Sequence, residues 1–258
     1  MKIGLIGYGN IGSFLVEALQ EREDIRVTHV LTSRTDQVEA LARKGIEVVH
    51  NIEQFVQQPF DYVVETSTIE TIEQYGEAVI RAGKSLILSS IGVLGKREVR
   101  DSFETLARQY GTALFIPSGA IGGLDAIQSA HALNELKSVQ LTTRKPPSAL
   151  PERATPLTEV EVIFEGSAEE AIAQFPRNMN VAIALSLAGV GTERTKVRVL
   201  ADPHAEKNTH TIEADGTFGK MTTIIENDPM PANPKTSYLA ALSVLHAVTN
   251  QQNTIRIA

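Results

Sequence analysis

Three sets of residues in this chain have types and spacings that could do chemistry. The first is Gly7-Tyr8-Gly9-Asn10-Ile11-Gly12, which fits G-x-G-x-x-G. Gly7 permits a tight turn, Gly9 lets the backbone approach a pyrophosphate, and Gly12 lets a helix and a strand pack closely. The helix that follows offers free N–H groups and a positive dipole end to phosphate. The second set is Thr32-Ser33-Arg34, at the end of a β-rich run where an NAD enzyme commonly carries Asp or Glu for the ribose 2′-OH. The Ser33 hydroxyl and the Arg34 guanidinium can accept a 2′-phosphate that a carboxylate would repel, so the pair points to NADP or to use of both cofactors. The third set is six histidines, the side chains that titrate nearest neutrality. His131 and His246 fall on expected helices, His29 sits inside the second run, and His50 ends a strand with nothing nearby to support it. His204 follows Pro203 in a loop, and His210 shares one strand face with Ile212 and Ala214. Taken alone, a histidine on an apolar face is more often a satisfied core residue than a base.

The elements that must position these groups alternate in the first half of the chain. Apolar runs at Lys2–Ile6, Ile25–Leu31, Tyr62–Val64, Ser85–Leu88 and Thr112–Ile116 read as strands. Between them, Ile11–Leu19, Gln37–Arg43 and Glu98–Tyr110 read as helices, as does the segment after Ser67 and Glu70, which have capping-box spacing. Alternation of this kind implies right-handed crossovers and a doubly wound parallel sheet. Past Pro117 the texture changes. Gly122–Leu136 reads as a helix with Leu124, Ile127 and Leu133 on one face. Period-two runs then follow around Val139–Thr143, Val160–Glu165, Lys196–Ala201, Thr209–Ala214 and Met221–Glu226, as half-buried antiparallel strands do. Ala168–Gln174, capped by Ser167 with Glu170, and Val181–Ala188, stopped by Gly189, read as helices. Lys145–Pro156 reads as a loop, and Thr236–Val248, apolar nearly all round, as a buried helix. The expected fold is α/β: a Rossmann domain over residues 1–120, then an α+β domain over 121–235 with a mostly antiparallel sheet. The terminal helix, 236–258, is expected to pack back on the first domain.

Composition narrows the function classes. The chain has 258 residues, no cysteine, and 24 Lys plus Arg against 31 Asp plus Glu, a formal charge of -7. The missing thiols exclude a disulfide framework and a Cys nucleophile, and fit a reducing, cytoplasmic setting. An acidic protein is a poor nucleic-acid binder. No apolar run is long enough to span a membrane, and glycines occupy the place of a signal peptide's apolar stretch. No metal-ligating cluster is visible.

From Pro117 on, the chain resembles one family. Pro117-Ser118-Gly119-Ala120-Ile121-Gly122-Gly123-Leu124-Asp125-Ala126, Thr143-Arg144-Lys145-Pro146-Pro147 and Phe164-Glu165-Gly166 are similar to segments of the L-aspartate dehydrogenases. So are Phe175-Pro176-Arg177-Asn178-Met179-Asn180-Val181-Ala182, Ala201-Asp202-Pro203 with Asn208-Thr209-His210, and Asn233-Pro234-Lys235-Thr236-Ser237, in that family's order. The resemblance implies reversible oxidation of L-aspartate with NAD or NADP to iminoaspartate, which hydrolyses to oxaloacetate and ammonia. It also suggests a feed into pyridine nucleotide (NAD) biosynthesis, with aspartate catabolism equally compatible. It places the catalytic histidine at His210 and cofactor contacts at Ala120 and Asn180. Thr32-Ser33-Arg34 departs from the acidic residue that many members carry there, against a strict NAD preference.

Such a substrate brings two carboxylates. The candidate partners are Arg144, Lys145 and Lys235, with hydroxyls from Ser118, Thr236 and Ser237; Pro234 and Thr236 bracket Lys235 at an expected helix start. Asn178 could cap the helix beginning near Val181. An open antiparallel sheet face needs a cover, which makes a homodimer the expected state. Two other readings keep the glycines: a related oxidoreductase resembling dihydrodipicolinate reductase or homoserine dehydrogenase, and a non-enzymatic nucleotide-sensing module.

Overall fold

The computed structural model describes residues 1–146, 149, 157–176, 179–231 and 233–256, with Pro234 and Lys235 through their backbone alone. The chain divides into two units: Met1–Pro117 with Ala241–Ile257, and Ser118–Ala240.

The first unit runs β1 (Lys2–Ile6), α1 (Asn10–Leu19), β2 (Arg26–Leu31), α2 (Val38–Arg43), β3 (Glu47–Val49), α3 (Ile52–Val56) and β4 (Tyr62–Glu65). It continues with α4 (Ile69–Arg81), β5 (Ser85–Leu88), a 3-10 turn (Ile91–Gly95), α5 (Arg97–Tyr110) and β6 (Leu114–Phe115). All its strands pair in parallel, in the order β3-β2-β1-β4-β5-β6. The order therefore reverses between β1 and β4, the place where open α/β sheets bind ligands at their carboxyl ends. Ile3 and Leu5, Leu15, Leu41, Val64 and Ile87 form one buried cluster. The strands read as near-continuous apolar runs because helices cover both sheet faces. α5 stops at Gly111, whose φ of 66° is left-handed.

One expectation fails locally. The cap of α4 is Thr68, whose side chain accepts from the Thr71 N–H, and not Ser67. Ser67 donates its hydroxyl to Glu65 at 2.9 Å instead, so the capping-box spacing is present without the box. β3 and α3 are short elements that the alternation left unassigned.

The second unit runs α6 (Leu124–His131), β7 (Leu136–Lys145), β8 (Glu161–Ser167), α7 (Ala168–Gln174), α8 (Asn180–Ala188), β9 (Thr195–Ala201), β10 (Asn208–Gly216), β11 (Gly219–Asn227), β12 (Pro229–Met230) and β13 (Asn233–Ser237). Its main sheet has the order β11-β10-β7-β9-β8. Three of its four pairings are antiparallel, and β7 with β9 is parallel. Ser167 and Glu170 do form a capping box on α7, and Gly189 ends α8.

The helix expected through Leu136 ends at His131 instead. Asn134, at φ 57°, turns the chain into β7, a left-handed position that Asn tolerates, and Leu133 is left 77% exposed. The expected helix start at Thr236 is also corrected: residues 233–237 pair with β12, and α9 spans Tyr238–Thr249. Val244 and Val248 of α9 join the buried cluster of the first unit, so the buried terminal helix is found there. Among the described residues no helix is long and apolar enough to cross a membrane.

Candidate active site

The glycine loop occupies the turn from β1 into α1. Gly7 has φ 90°, and its N–H donates to the Leu31 carbonyl at 2.9 Å. A Cβ at Gly7 would lie 2.7 Å from the Ser67 Cβ, so both conformation and space demand glycine. A Cβ at Gly12 would meet the Gly7 carbonyl oxygen at 2.7 Å, the close helix–loop packing expected of the third glycine. Gly9 differs. It is the N-cap of α1, and nothing lies within 4 Å of where its Cβ would be. No side chain caps α1, and its first turn holds no acidic residue. The N–H groups of that turn thus face a space that a side chain at residue 9 would fill, which fits a bound pyrophosphate. The Tyr8 and Ile11 side chains pack against the core cluster, so what these two residues can offer a ligand is their backbone. Asn10 is exposed and its carbonyl accepts from Ser13 Oγ at 3.1 Å.

At the end of β2, Ser33 and Arg34 are exposed. The Arg34 N–H donates to Thr32 Oγ1 at 3.1 Å, and its guanidinium forks onto Asp36 at 2.8 and 3.2 Å. That hydrogen bond raises the Arg34 pKa and holds the Asp36 carboxyl below the ordinary aspartate range. Asp36 is a functional candidate that the sequence reading passed over. Its signal was an acid two residues after the arginine, further along the loop than the usual acidic position.

In the second unit β10 and β7 run antiparallel with His210 opposite Thr143. Side chains alternate along a strand, so Thr143, Lys145 and His210 share one face of the sheet and Arg144 takes the other. His210 Nδ1 lies 3.0 Å from Thr143 Oγ1. Burial first, and the Lys145 charge second, lower the His210 pKa from 6.5 to about 4. Burial also lowers the Lys145 pKa. The imidazole is therefore neutral at physiological pH, an available base beside a poorly hydrated ammonium.

Arg144 instead donates to Asp202 Oδ2 at 2.5 Å. Asp202 also accepts the His204 N–H at 2.8 Å, and these bonds, the backbone one first, hold its carboxyl below the aspartate range. His204, the rival to His210, is exposed on that turn.

Ala120 is buried, and its carbonyl accepts from Asn227 Nδ2 at 3.1 Å. Asn227 in turn accepts from Ser237 Oγ at 2.6 Å, so one buried amide ties the Ser118–Gly123 loop to β13. Nothing in the sequence pattern distinguished Asn227. Ser118 is partly buried in that loop, and Asn180 is the exposed first residue of α8. Thr236 Oγ1 accepts from Asn233 Nδ2 at 2.9 Å. The Lys235 side chain, Arg177, the proposed cap Asn178 and most of the 145–156 loop lie outside the described residues.

Full-length comparisons match the chain to the aspartate dehydrogenases. The profile "Aspartate dehydrogenase, C-terminal" matches residues 125–251, and "Homoserine dehydrogenase, NAD binding domain" matches 7–117. The chain is 39% identical over 270 residues to the L-aspartate dehydrogenase of Methanosarcina mazei, covering 100% of this chain and 99% of that protein. It is 40% identical over 250 residues to that of Archaeoglobus fulgidus, covering 97% of each. The crystal structure of aspartate dehydrogenase from Thermotoga maritima superposes with a TM-score of 0.83 at 31% identity, covering 100% of this chain and 99% of that one. A homoserine dehydrogenase from Thiobacillus denitrificans, at 14% identity and a TM-score of 0.63, shares the fold.

Proposed function

This chain belongs to the L-aspartate dehydrogenase family, and from that premise we propose that it oxidises L-aspartate to iminoaspartate, which water converts reversibly to oxaloacetate and ammonia. The observation that carries the reading is the shared face of His210, Thr143 and Lys145. Bound pyridine nucleotide supplies the hydride acceptor; the residues of this chain manage protons and charge.

When Nδ1–H of His210 donates to Thr143, the lone pair is on Nε2, and a neutral imidazole can take a proton from the substrate ammonium. Once that proton has passed to solvent, the same atom accepts a hydrogen bond from water and directs its oxygen at the imine carbon. Lys145 pairs with one substrate carboxylate, a stronger contact for being desolvated. That pairing offsets the charge that depresses His210, so the imidazole becomes a better base once the diacid is bound. Arg144, engaged by Asp202 on the opposite face, holds the 202–204 turn, and Ser118, Lys235 and Thr236 are the further candidates for the second carboxylate. Residues 1–120 serve as the dinucleotide-binding domain and 121–235 as the catalytic domain.

The Gly7–Gly12 loop holds the pyrophosphate, Ser33 and Arg34 the adenosine ribose, and Ala120 and Asn180 further parts of the cofactor. The Arg34–Asp36 fork supports dual use of NADP and NAD: a 2′-phosphate would take Arg34 from Asp36, and a 2′-hydroxyl would donate to Asp36. The family alone supports a feed into pyridine nucleotide biosynthesis. The absence of cysteine supports a cytoplasmic setting. The outer face of β10 and β11, with Thr211 opposite a 60% exposed Ile224, supports a homodimer, which sedimentation tests.

The activity test is purified protein with L-aspartate and either nucleotide, read by reduced-nicotinamide absorbance. Formation of reduced cofactor is expected, and its absence with both nucleotides across neutral and alkaline pH would overturn the reading.

A further inference from the structure

The first unit buries a carboxylate that the mechanism does not use. Glu65, the last residue of β4, is 0% exposed. Its Oε1 accepts from Ser67 N at 2.6 Å, Ser67 Oγ at 2.9 Å and Ser90 Oγ at 2.9 Å, and its Oε2 accepts from Ser90 N at 2.8 Å. Burial pushes this carboxyl above the ordinary glutamate range, and the four donors oppose that push. Enclosing a carboxylate is unfavourable unless hydrogen bonds compensate, and an apolar residue would serve packing at least as well. The carboxylate has a different use: it joins the turn after β4 to the turn after β5.

The turn after β4 sits at the reversal of strand order, and the turn after β5 lies one strand beyond it. Glu65 is in register with Ile6 of β1 and Leu88 of β5. The turn after β4 also backs onto the glycine loop, because Thr66 Oγ1 donates to the Gly7 carbonyl at 3.0 Å and Ser67 occupies the space a Gly7 side chain would need. With the adenosine ribose at the end of β2, on one side of β1, a dinucleotide whose pyrophosphate rests on α1 must run its other half over the ends of β4 and β5.

We propose that Glu65 is a positioning residue that sets the Ser67 and Ser90 turns as the seat of the cofactor's nicotinamide-ribose half. This deepens the reading of the glycine loop as a dinucleotide site and rests on it. In Glu65→Gln, an amide oxygen in the Oε1 place keeps three of the acceptor roles, and the amide nitrogen confronts the Ser90 N–H, donor against donor.

The test measures dissociation constants for ADP, which lacks the nicotinamide-ribose half, and for NADPH and NADH on the whole protein. E65Q should weaken NADPH and NADH about tenfold and leave ADP within about twofold, since a tenfold change corresponds to roughly 1.4 kcal/mol, the order of one hydrogen bond. Should E65Q fail to fold, Ser90→Ala, which removes one of the four bonds, should show the same selectivity at about threefold. Equal weakening of ADP and dinucleotide, or no change in either, would overturn the proposal while leaving the dinucleotide site standing. Wild-type protein that binds neither ADP nor dinucleotide would overturn the parent reading, and this one with it.

Discussion

Replacing Lys145 by Met removes the ammonium that shares a sheet face with His210 while keeping most of its apolar stem. His210 is held at about 4 against 6.5, with burial the larger of two causes and Lys145 the smaller. Burial stays when the ammonium is gone, so Lys145 accounts for the lesser part of that depression. In K145M the imidazole should titrate above 4 yet still below 6.5, because burial continues to disfavour the charged form. The sign follows from the competent form. A base must be neutral, so kcat/KM of the wild type should hold as pH falls until it nears 4, and the acid limb of the variant should move upward. The same change removes a charged hydrogen-bond partner worth about 1.5–3 kcal/mol, so KM for L-aspartate should rise roughly ten- to hundredfold. NMR titration of the free enzyme's imidazole carbons, with His210 assigned by its own substitution, reads the first effect, and steady-state kinetics reads the second. An imidazole that still titrates near 4, together with an unchanged KM, would refute the assignment of Lys145.

Asp36→Ala releases Arg34 and deletes a carboxylate, so KM for NADP should fall and KM for NAD rise, each by about fivefold, the upper worth of an exposed charge pair. Equal changes for both nucleotides would disconnect that loop from the 2′ position. Gly7→Ala forces a side chain into a left-handed backbone and into Ser67, so it should cost at least about 1–3 kcal/mol in thermal unfolding and abolish nucleotide binding. A variant of unchanged stability that still binds NADH would mean the turn is not built as described.

The parallel sheet was legible because its strands are apolar on both faces and its helices carry apolar residues at helical spacing. The errors have local causes. Ser67 has capping-box spacing, but Glu65 claims its hydroxyl, a contact made across the fold of the turn rather than along the helix. Residues 233–237 form a strand because they find a partner in β12, which no window of sequence reports. Arg144 and Lys145 are neighbours in the chain, and only the register of β7 against β10 decides which of them joins His210. Asp36, Glu65 and Asn227 lie outside any motif; burial or pairing made by folding gives each its significance. His210 stood out as a candidate base only through the resemblance, since alternation alone describes a core residue equally well.

The most direct measurement is the turnover of His210→Asn beside its nucleotide affinity. Loss of a positioned base should lower kcat for L-aspartate by roughly a hundred- to ten-thousandfold while the dissociation constant for NADH or NADPH stays within about twofold of wild type. Turnover retained near the wild-type rate would contradict the assignment of His210 as the group that takes the proton from aspartate.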